Sequence, residues 1–265
     1  MKGRARKIIF FLAIAAIATA LYFFFPAKKE NPEPEKTNIT NSQENTSLKG
    51  KIAETEQSEL VPENNNEETE EKTKPETPEK YILQIPFYSQ APLSKWDAFH
   101  EDMCEEASVL NAGLYLEEKK LTKDQFEAEL QKMQKVEKKE IGEWKSSTIT
   151  QIKQLVNIYF EEKIKSKIID NPTIEQIEAE VAAGNPVIVP LSGRDIGNPN
   201  FTPPGPVYHM LVVKGYDNQN FITNDVGTRK GDSYTYKKDV IMKNTHDWNE
   251  KDIHLGAKRV LVLIK

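Results

Sequence analysis

Residues 26–80 cannot build a hydrophobic core, and this divides the chain. They hold 14 acidic and 8 basic residues, six prolines and no Phe, Trp or Tyr. Such a segment buries too little apolar surface to offset the entropy of ordering its backbone, so it is expected to stay disordered. Folding is then left to residues 81–265, a length of about 185 residues that supports one domain with a substantial core. The formal net charge of −5 is spread unevenly: residues 1–7 carry +4, residues 26–80 carry −6, and the remainder comes to −3. A folded part of −3 lacks the basic footprint of nucleic-acid binding, and no nucleic-acid partner is expected.

Residues 8–25 form an apolar run of 18 residues behind Lys2, Arg4, Arg6 and Lys7. Eighteen residues just cross a bilayer core as a helix. The basic flank keeps residues 1–7 in the cytoplasm and sends the rest outward. Two readings stay open. An uncleaved single-pass anchor is favoured by Leu21-Tyr22-Phe23-Phe24-Phe25, which carries the apolar run on and puts aromatics at the outer interface. A cleaved signal peptide would use the small residues Ala18-Thr19-Ala20 and leave a secreted domain. With the anchor kept, the membrane is a partner through this helix. Residues 26–80 then form a tether whose reach is on the order of 40 Å. The expected layout is a basic cytoplasmic segment at 1–7, an anchor or signal at 8–25, an acidic linker at 26–80 and a domain at 81–265.

Within that domain, four segments carry a short polar residue followed three positions later by Glu or Gln, the capping-box signature of a helix start. They begin at Asp102, Thr122, Thr148 and Thr173. The helices are expected to run to about residues 118, 136 and 159, with the fourth ending at Gly184 in a left-handed cap. Strands follow. Residues 186–191, 207–214, 220–224 and 259–264 are apolar runs bounded by turn residues, and residues 82–85 make a short first strand. A turn is expected around Gly215-Tyr216-Asp217-Asn218. Helices come first and strands second, without a βαβ alternation. The fold class expected is α+β, helices packed on a mainly antiparallel sheet.

The chain has one cysteine, Cys104, so no intramolecular disulfide forms. A free cysteine can simply pack as a small hydrophobe. With Asp102 as N-cap, however, Cys104 is the second helical residue, where unpaired N–H groups and the helix dipole favour a thiolate. An unperturbed thiol near 8.5 is only about 3% thiolate at pH 7. Glu101, Asp102, Glu105 and Glu106 push the other way, so a cationic partner is needed. Of His100, His209, His246 and His254, His209 stands at the entry of an apolar strand. A buried core histidine is the alternative there. A hairpin centred on Asp217 would set Asp225 directly opposite His209 on one sheet face. Asp225 also suits a plain turn before Gly227. Cysteine, histidine and carboxylate make a nucleophile, a base and an orienting group. The missing oxyanion donor is available in the amide of Gln90, otherwise a surface-loop glutamine. No metal and no cofactor are expected; His100, Cys104 and His209 lack a convincing fourth zinc ligand. His246-Asp247-Trp248 is a possible second site or packing for the last strand.

Three stretches carry a family resemblance: Ile85-Pro86-Phe87-Tyr88-Ser89-Gln90-Ala91-Pro92 with Trp96 and Cys104-Glu105-Glu106-Ala107-Ser108; Ala183-Gly184-Asn185-Pro186-Val187-Ile188-Val189-Pro190; and Tyr208-His209-Met210-Leu211-Val212-Val213-Lys214-Gly215-Tyr216-Asp217 with Ile222-Thr223-Asn224-Asp225-Val226-Gly227-Thr228. Over residues 81–265 the chain resembles the bacteriocin-processing-like cysteine peptidases, a papain-like family whose exporter-fused members remove double-glycine leader peptides. The resemblance implies a papain-like fold with the nucleophile on a helix N-terminus against the sheet that carries the histidine. It implies Cys104 as nucleophile, His209 as general base and then acid, Asp225 as its orienting group, and Gln90 as oxyanion donor opposite the Cys104 backbone N–H. Many members have Cys-Gly-Pro and Asn-Asp-Pro where this chain has Cys-Glu-Glu and Asn-Asp-Val. Leader specificity is not carried over, because no transporter segment is present. The function expected is an exported, membrane-tethered cysteine hydrolase acting on a peptide or protein, cell-wall peptides included. A non-catalytic surface binding module and a thiol acyltransferase on the same fold are the competing classes.

Overall fold

In a computed structural model, which describes residues 77–142 and 145–265, three threonines cap helices as their spacing predicts. Thr122 opens α2 (Lys123–Glu140), Thr148 opens α3 (Ile149–Tyr159) and Thr173 opens α4 (Ile174–Ala182). In each, the threonine oxygen accepts from the N–H three residues on, and the glutamine there accepts from the threonine N–H. Helix α4 runs out through Gly184 at φ +92°, the left-handed stop expected. The anchor or signal at 8–25, most of the linker at 26–80 and Trp144 lie outside the described residues. Among those described, no helix is long and apolar enough to cross a membrane.

The fourth box does not form. A 3-10 turn, His100–Asp102, comes first, and helix α1 (Cys104–Leu116) starts at Cys104 with Met103 as an N-cap that gives no side-chain bond. Cys104 is therefore the first helical residue, not the second. The Asp102 carboxylate is taken instead by Lys145 at 2.7 Å. Of the residues of α1 only Tyr115 escapes full burial, the mark of a helix enclosed on all sides. It lies against the middle of the sheet.

That sheet comprises β1 (Tyr81–Ile82), β2 (Lys165–Asp170), β3 (Val187–Ser192), β4 (Tyr208–Tyr216), β5 (Asn220–Asn224), β6 (Tyr234–Lys237) and β7 (Arg259–Ile264). The spatial order is β2-β7-β3-β4-β5-β6, with β1 alongside the end of β4. Every pairing is antiparallel, so the fold is α+β with an antiparallel sheet, as expected. The central strands β3 and β4 are buried throughout, which is why their apolar runs were readable. Strands β2 and β6 were not foreseen. They are the two edges, and β2 reads Lys-Ser-Lys-Ile-Ile-Asp, the lysine-bearing composition that protects an edge and hides its period. The short helix α5 (Lys238–Asn244) has no side-chain cap and left no signal either.

The hairpin turn also falls later than expected. Gly215 and Tyr216 still belong to β4, and the turn is Asp217 to Asn220, with Asp217 Oδ1 accepting both the Gln219 and the Asn220 N–H at 2.8 Å. Gly215 is required inside the strand, because a Cβ there would lie 2.6 Å from the Tyr81 carbonyl of β1. A bulge between Val213 and Gly215 shifts the β4–β5 register. At that bulge the buried Lys214 reaches out to Asp232 at 2.8 Å, tying β4 to the loop beyond β5.

Candidate active site

The first turn of α1 meets the start of β4, and this junction builds the site. Cys104 is buried at the head of α1, with the Met210 N–H of β4 directed at its sulfur. His209, one residue earlier on β4, is 1% exposed. Gln90 is held close by Asn111 of α1, whose amide bonds the Tyr88 N–H at 2.8 Å and the Tyr88 carbonyl at 2.9 Å. Gln90, Cys104 and His209 all line one cleft of about 1050 Å³, walled further by Trp96, Phe201 and Trp248.

Asp225 sits behind His209, away from the cleft. Its Oδ1 accepts from His209 Nε2 at 2.8 Å and from the Gly227 N–H at 3.1 Å. Its Oδ2 accepts from Asn198 Nδ2 at 2.9 Å and from the Tyr236 hydroxyl. Burial raises the carboxyl pKa, but the His209 charge and the bonds from His209, Tyr236 and Asn198 outweigh it, and the net direction is down. An ionised Asp225 keeps the ring proton on Nε2 and leaves Nδ1 as the basic nitrogen. The Phe201 ring stands edge-on to the imidazole at 5.1 Å. Gly227 fits where the two rings meet: a Cβ there would come within 2.7 Å of His209 Cε1 and 3.0 Å of Phe201 Cε1. The ring is thus boxed into one orientation.

The pairing of His209 with Asp225 was expected, but not by this route. Val212 pairs with Asn224, and continuing that register would put Leu211, not His209, opposite Asp225. Asp225 instead leaves the ladder: its N–H bonds the Gly231 carbonyl at 2.9 Å, and the carboxylate swings to the histidine. Gly231 permits this turn, since a Cβ there would lie 1.7 Å from the Asp225 carbonyl oxygen. Gly231→Ala is therefore expected to move Asp225 off His209. It should lower the thermal midpoint by roughly 4–10 °C, the effect of about 2–3 kcal/mol, in a thermal melt.

The thiol is not poised as an ion pair. Burial, then the Glu105 charge and the bond to Glu105, hold Cys104 well above the usual thiol range, against the Met210 N–H. The helix dipole does not win here. Cys104 Sγ donates to Glu105 Oε2 at 2.8 Å, and Glu105 Oε1 accepts the Ser147 N–H at 3.1 Å. Gln90 faces the cleft, yet its Nε2 donates to the His100 carbonyl at 2.7 Å and the Glu101 carbonyl at 3.2 Å. His100 is engaged elsewhere, by Asp97 at 2.8 Å and Glu127 at 2.9 Å. Among the described residues no cluster of His, Cys, Asp and Glu is fit to hold a metal ion. In His246-Asp247-Trp248, Asp247 caps α3 by accepting the Ile149 N–H at 2.8 Å, a packing role, while Trp248 lines the cleft.

Sequence reasoning missed Asn198, Tyr236 and the Glu105 contact. Asn198 lies in an aperiodic loop and Tyr236 on an edge strand, so neither had a signal. Glu105 was visible only as a like charge beside the thiol.

A thiol and a carboxylate-bound imidazole that line one cleft are the working parts of a cysteine hydrolase. The comparison with known families agrees: residues 82–252 match the Peptidase_C39 like family, which is more than half of the chain. The chain belongs to that family, and with it to the cysteine peptidases. Among solved structures it is similar to one described as a C39-like peptidase from Bacillus anthracis, at 18% identity and a TM-score of 0.48, covering 71% of this chain and 98% of that one. No curated protein matches the chain.

Proposed function

We propose that the domain hydrolyses peptide bonds, with Cys104 as nucleophile and His209 as base. The observation that carries this reading is the His209 Nε2–Asp225 bond, at 2.8 Å, made by a ring that opens into the same cleft as Cys104. The steps follow from it. A substrate carbonyl enters the cleft, the Cys104 proton passes to His209 Nδ1, and the sulfur adds to the carbonyl carbon. The oxyanion is met by the Cys104 N–H, a first-turn donor that no helical carbonyl can take. Gln90 Nε2 completes the hole by trading its longer bond, at 3.2 Å to Glu101, for the substrate. The imidazolium then protonates the leaving amine as the C–N bond breaks. Water, deprotonated by His209, cleaves the thioester and frees Cys104.

The substrate class is a peptide or protein, and cell-wall peptides suit a domain held outside the membrane on the tether of residues 26–80. That placement rests on the apolar run at 8–25 and its basic flank. The test is cleavage of a mixed peptide library by the full chain. Cys104→Ser and His209→Ala are each expected to lower the rate by roughly 10³-fold or more, and Cys104→Ser to leave the thermal midpoint near the parent value. Cleavage that survives Cys104→Ser would remove the reading.

A further inference from the structure

Glu105 occupies a position that the reaction just described does not use. It follows Cys104 in the first turn of α1, is 3% exposed, and is fixed at both oxygens. Oε1 accepts the Ser147 N–H at 3.1 Å, and Oε2 accepts the Cys104 thiol at 2.8 Å. The Ser147 end is itself locked: its hydroxyl donates to Glu137 Oε1 at 2.5 Å and its carbonyl accepts from the Tyr208 hydroxyl at 3.0 Å. The carboxylate is thus clamped from the loop before α3, from α2 and from β4. It cannot leave the thiol by a simple side-chain rotation without breaking that clamp.

We propose that Glu105 is a positioning residue that holds the Cys104 proton on sulfur in the resting enzyme, in competition with His209. The proposal rests on the reading of Cys104 as nucleophile. A hydrogen bond has one direction. While S–H points at Glu105, it does not point at an imidazole nitrogen, and the sulfur remains a neutral thiol. Attack on a carbonyl then requires the S–H to turn from Glu105 to His209 Nδ1: the S–H bond breaks, N–H forms, and S–C forms. Glu105 is left accepting only from Ser147. The negative charge that develops on sulfur lies beside a carboxylate, and like charges repel. Such an enzyme rests with an unreactive thiol, a useful property for a lone exported cysteine exposed to oxidants. The other ionisable groups facing Glu105 are Glu106 on α1, Glu137 on α2 and Tyr208 on β4. None of them is cationic.

The test uses the full chain and its single cysteine, followed by the rate of iodoacetamide alkylation against pH. Glu105→Gln keeps the acceptor for Ser147 and turns an amide donor toward sulfur, so it favours the thiolate. The alkylation midpoint is expected to fall by about one pH unit or more. Glu106→Gln removes the same charge one residue away without touching the thiol, and is expected to move the midpoint less. Rescue runs through Glu105→Asp, one methylene shorter, which keeps the charge but loses reach and should lower the midpoint only in part. An unchanged midpoint in Glu105→Gln overturns the proposal, as do equal shifts in Glu105→Gln and Glu106→Gln. A second measurement needs no variant. The S–H infrared stretch of the unmodified protein, assigned by its loss in Cys104→Ser, should be shifted as for a strong donor at neutral pH. Absence of that band, or a band typical of a free thiol, also overturns the proposal. Alkylation reads the thiol whether or not peptides are cut. Failure of the peptidase reading would leave these shifts standing, and an unmoved midpoint with cleavage intact removes the role of Glu105 alone.

Discussion

Asp225→Ala is expected to damage both the fold and the chemistry. The carboxylate is fully buried and gathers four donors: the His209 ring, the Gly227 N–H, the Asn198 amide and the Tyr236 hydroxyl. Alanine removes the acceptor and leaves those donors in a place water does not reach. Breaking a buried, hydrogen-bonded charge pair costs about 3–5 kcal/mol. For a domain of this size that is a fall of roughly 6–20 °C in the thermal midpoint. Hydrolysis should drop by up to about 10⁴-fold, because His209 loses both its tautomer and its orientation. Asp225→Asn separates the two effects. Its single oxygen can serve the His209 side or the Tyr236 side, but not both. The melt should recover part of the loss while activity stays low. The folded-state carboxyl pKa is lowered, so the stability that Asp225 contributes is complete at neutral pH. It is lost only as pH falls below about 4, through the folded value. Wild-type melting in Asp225→Ala would mean that the four donors find other partners.

The protein is expected to melt higher at pH 5 than at pH 8. Glu105 and Glu106 are buried on α1 and share the interior with Glu137 of α2. Burial, more than any neighbour, raises Glu105 to about 7, against the bonds from Cys104 and Ser147. Burial and then the charges of Glu137 and Glu105 push Glu106 well above the usual carboxylate range. In the unfolded chain both titrate near 4.3. Between the unfolded and folded values the folded state keeps protons that the unfolded state has released. Stability therefore falls as pH rises through that window. Glu105 alone accounts for on the order of 3 kcal/mol, which is a midpoint shift of roughly 6–12 °C. Asp225 has the opposite sign but acts only below about 4, so it does not cancel this slope. Glu106→Gln should raise the midpoint at pH 8 and change it little at pH 5. A flat profile between these pH values would show that Glu105 and Glu106 hold no extra protons in the folded state.

Much of the site was legible because its parts sit on elements with strong local signals. His209 lies on a strand whose apolar run continues through Val213, so its placement in the sheet follows from period and burial. The three threonine boxes fixed the entries of α2, α3 and α4 by a purely local rule. Asp102 has the same spacing and failed, because a longer-range partner, Lys145, took its carboxylate at 2.7 Å. The edge strands β2 and β6 gave no pattern, since an edge has one neighbour and needs polar residues. Tyr236, which secures Asp225, was lost with β6. The resemblance in residues 81–265 supplied the order of nucleophile, base and orienting group, and the family match over 82–252 bears out the family itself.

By itself, the sequence determined the entries of α2, α3 and α4, which residues of the central strands enter the core, and which side chains could do nucleophilic chemistry. Those properties depend on local composition, period and residue type. The tertiary structure alone decided the hydrogen bonds of the site. The β4–β5 register ran Leu211, not His209, toward Asp225, and the bend at Gly231 brought the carboxylate back to the ring. The thiol proton went to Glu105, the adjacent residue, because Ser147, distant in sequence, clamps that carboxylate in place. A hydrogen bond of under 3 Å tolerates no error in register, and register is fixed by the packing of the whole sheet against α1, which no local pattern encodes.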